Sequence, residues 1–82
     1  FLLLKNLFWG YCENGGYKNL SSIIRKIPNV NLPNKKNWNA IIIATYNGHL
    51  NIVKCLLEHG ADINSTNKNG TTLLMYALNY FL

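Results

Sequence analysis

Sliding the chain along itself by 33 residues brings like onto like over most of its length. Asn6 falls on Asn39, Asn14 and Gly15 on Asn47 and Gly48, Leu20 on Val53, Ile23 and Ile24 on Leu56 and Leu57, and Val30 and Asn31 on Ile63 and Asn64. The next period sets Lys35 on Lys68, Ile41 on Leu74 and Ala44 on Ala77. A period of this size is the mark of stacked supersecondary units, each too small to bury its own apolar face and stable only against its neighbours. That constraint settles the architecture before any single element is assigned.

Each period has the same internal order: a polar turn ("NLPNKKN", "NSTNKNG"), a short apolar segment ("WNAIIIATY", "TTLLMYALNY"), a glycine break and a longer periodic segment. In the middle unit the longer segment is "LNIVKCLLEHG", where Ile52, Val53, Leu56 and Leu57 recur at helical spacing on one face. Gly60 follows where a left-handed cap would end that helix. The pattern predicts helix, tight turn, helix, extended finger. Helices this short are marginal in isolation, so the units must stack.

The chain has 82 residues, 49% apolar and 13% charged, enough for one small folded domain with a thin core. Its longest apolar runs, Ala40 to Ala44 and Leu73 to Leu78, are far below the roughly 18 residues a membrane span requires. The opening "FLLLKNLFWGYC" is not patterned as a signal peptide, because no basic segment precedes the apolar one and Lys5 interrupts it. The absence of an initial Met and the ending "YALNYFL" lead to the expectation of a piece of a longer chain. Cys12 and Cys55 are too few for a disulfide framework and fall within helical apolar patterns, which points to a reducing, intracellular compartment.

The run "GHLNIVKCLLEHGADIN" resembles the second half of an ankyrin repeat, and "NGTTLLMYA" resembles the start of the following one. The resemblance implies an all-α fold, an ankyrin-type helix-turn-helix repeat solenoid with short β-hairpin-like finger loops. It divides the chain into a degenerate first unit at 1–33, a full second unit at 34–66 and the first half of a third at 67–82. It makes Ala44 and Ala77 the small residues that let neighbouring helices approach, with Tyr11 in that place in the first unit. Gly48 becomes the turn between helices, and Asp62 and Asn64 shape the base of a finger. The family's usual Thr-Pro-Leu-His is altered: the pairs in the places of its hydrogen-bonding Thr and His are Asn39 with Ile42 and Thr72 with Met75, neither of which can make that bond in full, and Ala40 and Leu73 replace its proline. The third unit lacks its second helix, so Leu73 and Leu74 are expected to be bare and the piece marginally stable.

His49, Cys55 and His59 invite a chemical reading. Cys55 and His59 share a helical face at a spacing suited to two metal ligands, but two do not close a zinc site. A Cys–His catalytic pair needs an orienting group and oxyanion donors, and the carboxylates Glu13, Glu58 and Asp62 form no acid–base pair. No catalytic, cofactor or metal site is therefore expected, and His49 is read as a turn-stabilising residue.

Function on such a scaffold falls to the finger tips and first helices. The candidate protein-binding residues are Lys35, Lys36, Trp38, Tyr46 and Asn47 in the second unit and Lys68, Asn69, Thr71 and Asn79 in the third, with Lys5 and Glu13 holding equivalent places in the first. Aromatic rings beside lysines have the character of an interaction hot spot; Trp38 could equally serve only to cover the seam between units. The net charge of +5 favours a partner with an acidic surface. Scattered basic residues without an arginine cluster give no support to nucleic-acid binding. The expected role is a non-catalytic protein–protein interaction module; the alternative is a targeting or autoinhibitory arm of a larger enzyme.

Overall fold

The computed structural model describes residues 2–66, 72 and 75. Four α-helices lie among them: α1 Leu2–Asn14, α2 Tyr17–Ile23, α3 Ala40–Tyr46 and α4 Leu50–Glu58, with a short 3₁₀ turn, Ile24–Lys26, continuing α2. Helix α1 packs on α3 and α2 on α4, while α1 pairs with α2 and α3 with α4. Two helix pairs are thus stacked with first helices in one layer and second helices in the other, as the repeat requires.

Glycine sets the helix ends. Gly15, Gly48 and Gly60 all have positive φ, at 82°, 75° and 91°, a conformation costly for a residue carrying a Cβ. After α3, Gly48 N–H donates to Thr45 O and His49 N–H to Ala44 O; after α4, Gly60 N–H donates to Leu57 O and Ala61 N–H to Leu56 O. Both are Schellman closures, which satisfy the last carbonyls of the helix. At position 27, one period before Gly60, stands Ile27 followed by Pro28. A residue before proline is pushed to extended backbone, and Ile27 has φ −89° and ψ 113°. With no left-handed cap available, α2 tightens into the 3₁₀ turn.

The core runs through both layers: Phe8 and Cys12 from α1, Leu20 and Ile24 from the α2 region, and Ile41 and Ala44 from α3 with Ile52 and Leu56 from α4. Every residue from Ala40 to Thr45 is buried, with α1 and α4 both packed on α3. Thr45 is accommodated there by donating its Oγ1–H to Ile41 O at 2.7 Å. In α4 the buried face is Ile52, Val53, Cys55 and Leu56, whereas Leu57 is 38% exposed. The sequence pattern had placed Leu57 inside; the α4 stripe is instead centred on the 52, 55, 56 row, with Leu57 at its rim.

Helix α1 differs from its counterpart in beginning at Leu2, so that Asn6 lies inside it while Asn39, its repeat equivalent, caps α3. The Asn39 side chain accepts from Ile42 N–H at 3.1 Å and donates its amide to Ser65 Oγ at 2.7 Å. Thr72 repeats the first of these contacts, its Oγ1 accepting from Met75 N–H at 3.3 Å. The altered tetrapeptide therefore keeps its cap and sends its second hydrogen bond to Ser65, in the turn that closes the same unit, instead of to its own fourth residue. An isolated antiparallel bridge pairs Thr66 with Thr72. Leu73, Leu74 and Ala77, like most of the proposed third unit, lie outside the described residues.

Candidate protein interface

Between α3 and the preceding unit, residues 34–38 form a tight tip built by one side chain. Asn34 Oδ1 accepts from both Lys36 N–H at 2.9 Å and Trp38 N–H at 3.0 Å. Its backbone N–H donates to Trp38 O, and its carbonyl accepts from Asn37 N–H, each at 2.9 Å. Asn37 has φ 62°, a left-handed position that asparagine tolerates better than most residues. Lys35 and Lys36 occupy the exposed apex of this turn, so their placement is fixed by main-chain geometry on which their own side chains have no say.

Trp38 leaves the tip half-buried against the core and meets Tyr46 edge to face, with ring centroids 5.0 Å apart and planes at 76°, a favourable arrangement for two quadrupoles. It lines a surface groove as well as sealing the units. On the facing unit, Lys5 Nζ stands 5.9 Å from the centroid of Trp9, within cation–π reach. Trp9 Nε1–H is buried and finds no hydrogen-bond partner among the described residues.

These elements enclose a groove of about 920 Å³. Its lining includes Lys35, Lys36, Trp38, Tyr46 and Asn47 from the second unit and Lys5 and Glu13 from the first, all of which the repeat pattern had assigned to one face. It also includes Leu2, Trp9 and Pro33, which sequence reasoning passed over. Leu2 and Trp9 sit in an apolar helical run that reads as core; Leu2 reaches the groove because α1 begins five residues before its repeat counterpart, and the pattern holds no signal that singles out Trp9. Lys68, Asn69, Thr71 and Asn79 lie outside the described residues.

The histidines and cysteines are held apart from this face. His49 Nε2–H donates to Glu13 O at 2.9 Å, a contact between units beyond the local turn. His59 Nδ1–H donates to Cys55 O at 2.9 Å, leaving Cys55 Sγ 4.0 Å from the same nitrogen. Cys12 and Cys55 are both buried thiols without a disulfide. Burial, and secondarily the nearby Cys55, pushes the Cys12 thiol up to about 12, and burial followed by the charge of Glu58 raises that of Cys55. Neither is poised as a thiolate nucleophile. Among the described residues, no three His, Cys, Asp or Glu side chains converge to hold a metal ion, and no helix is long and apolar enough to cross a membrane.

Paired helices at a fixed period, closed by glycine and stacked in two layers with a groove along the first helices, define a helical repeat stack. The profile for ankyrin repeats in three copies matches residues 8–80, and the chain belongs to the ankyrin-repeat family. It is 35% identical over 85 residues to Protein HOS4 of Saccharomyces cerevisiae, an alignment covering 84% of this chain and 8% of that protein. It is 32% identical over 63 residues to an ankyrin repeat protein of Acanthamoeba polyphaga mimivirus, covering 77% of this chain and 8% of the relative. The chain thus spans a small part of the length of either relative. Ankyrin repeats in general are non-catalytic units that mediate contact between proteins.

Proposed function

We propose that this chain is a protein–protein interaction module that receives a partner with an acidic surface on the face formed by its tip loop and first helices, and that it carries out no chemistry there. The observation that supports this reading is the meeting of Lys35, Lys36, Trp38 and Tyr46 with Lys5 and Trp9 around one groove. Aromatic anchors beside cations are the residue types that dominate interface energetics, and the balance of three lysines against Glu13 would attract and orient an acidic partner. By the 33-residue period, Lys68, Asn69, Thr71 and Asn79 are the counterparts of Lys35, Lys36, Trp38 and Tyr46, and in this reading they continue the same face.

A photo-crosslinking residue placed at position 35, on the groove, and separately at position 54, on the exposed side of α4, tests the reading in extracts of the native cell. A protein captured from position 35, not from 54, in a yield that falls when irradiation is carried out at progressively higher salt, supports it. Capture from position 54 alone overturns it.

A further inference from the structure

The module reading leaves open what kind of surface enters the groove. We propose, resting on that reading, that the occupant is an extended acidic segment which seats one aliphatic or aromatic side chain against Leu2, Trp9, Trp38 and Tyr46 while its carboxylates meet Lys35 and Lys36.

Three observations carry this. The first is shape: a concavity of about 920 Å³ is in the size range of clefts that enclose a single inserted ligand, roughly 300–1,000 Å³. A convex segment can enter such a space, whereas a flat folded face would bridge over it. The second is the order of chemistry along the groove. The period sets Lys5 level with Trp38 and Glu13 level with Tyr46, so cations gather at the tip-loop end, and Glu13, the one carboxylate among the described lining residues, stands at the other. Eight residues of helix separate Lys5 from Glu13, about 12 Å at 1.5 Å per residue. An occupant with carboxylates at the tip-loop end and its apolar residue toward Tyr46 matches both charges; the reversed orientation sets carboxylates against Glu13.

The third is ring geometry. Lys5 stands over Trp9, and Trp38 meets Tyr46 edge to face, so the rings form walls around an apolar slot. Single-stranded nucleic acid needs ring faces on which successive bases stack. Among the described residues that line the groove there is no arginine, the residue that grips phosphate with two parallel bonds. A peptide fits these walls better than a base does.

The test uses the whole 82-residue chain. A random-peptide display library is selected on it, and the enriched peptides are titrated against its intrinsic emission. The chain has two tryptophans and both line the groove, so emission reports occupancy directly. Enrichment of Asp and Glu on one side of a single Leu, Phe or Trp is expected, with a saturable emission change. Replacing the acids by their amides, or making the variant Lys35→Glu, Lys36→Glu, should each weaken binding about tenfold or more. Lys54→Glu on α4 should leave it unchanged, and an unaltered circular dichroism spectrum confirms that each variant is folded. Selection of peptides without acidic residues, no selection at all, or tighter binding of a short oligothymidylate overturns the inference. If peptides fail while a protein still crosslinks from position 35, the segment is wrong and the module reading stands.

Discussion

His49 belongs to the turn after α3, yet its imidazole bonds the carbonyl oxygen of Glu13 near the end of α1, 36 residues earlier. The same ring fills the space above Gly15: a Cβ built there would lie 2.9 Å from His49 Cε1. Gly15 is therefore required twice, for its positive φ and for the ring it admits, whereas Gly60 has a positive φ and open space above it.

Gly15→Ala and Gly60→Ala separate these two demands. Gly60→Ala should cost about 1–2 kcal/mol for the left-handed backbone alone. Gly15→Ala should cost more by about 1 kcal/mol or greater, because the ring must also move. In a His49→Ala background the difference should disappear. Equal shifts of the two variants in a urea titration would show that the ring does not rest on Gly15.

Position 39 separates capping from the tie between the two ends of the second unit. Aspartate caps a helix as well as asparagine does, but it has no amide to donate to Ser65 Oγ, whose own proton goes to Asp62 O at 2.6 Å. Asn39→Asp should therefore lower stability by about 1 kcal/mol or more, through the unpaired partner, while keeping the cap. Asn39→Ala should cost about 2 kcal/mol, losing both. A neutral Asn39→Asp in the same titration would remove the contact to Ser65 from the account.

Much of this was legible in the sequence, and the exceptions have identifiable causes. Gly48 and Gly60 end their helices as the pattern requires, since a glycine after an amphipathic run has few other uses. Lys35, Lys36, Trp38, Tyr46 and Asn47 line one groove, in keeping with their reading as the tip and first-helix surface of one unit. Leu2 and Trp9 escaped notice because an apolar helical stripe looks the same whether it faces a core or a groove. The reach of α1 through Asn6 escaped too: the period places a cap there, and asparagine is compatible with both positions. The second bond of Asn39 was beyond sequence reasoning, since Ser65 lies 26 residues away and carries no motif of its own.

The thiols give a prediction in pH. Cys12 is neutral in the folded chain up to about 12, whereas an unfolded cysteine ionises near 8.5. Between these values the unfolded state holds fewer protons, so stability falls as pH rises, by about 1.4 kcal/mol per unit from this group, and is unaffected below about 8. The difference in unfolding free energy between the native chain and Cys12→Ala should shrink steadily over that interval. A difference constant from pH 8 to 11 would place Cys12 in water. At pH 8, alkylation of Cys12 should proceed only as fast as the chain unfolds.

Asn34 gives a prediction for the tip. Asn34→Ala removes the acceptor for two main-chain N–H groups and should weaken any ligand that uses Lys35 and Lys36 by about tenfold, through lost preorganisation. Because the tip is at the surface, overall stability should fall by only about 1 kcal/mol. Binding that is unchanged in calorimetry would mean that the lysines act as mobile charges and need no fixed apex.

Asn31 reaches from the first unit to the second with both ends of its amide, donating to Gly60 O at 3.2 Å and accepting from Asp62 N–H at 2.8 Å. A side chain that fastens two successive rungs of the neighbouring backbone acts as a ratchet pawl, setting the pitch of the stack. The apex at Lys35 and Lys36 lies outside any helix, so a residue inserted there lengthens the tip while the pawl can still find its rungs. A residue inserted in α4 would carry Gly60 and Asp62 around and along the helix axis, and the pawl would miss. Changes in the contact surface and maintenance of the pitch are in this way assigned to different stretches of the chain.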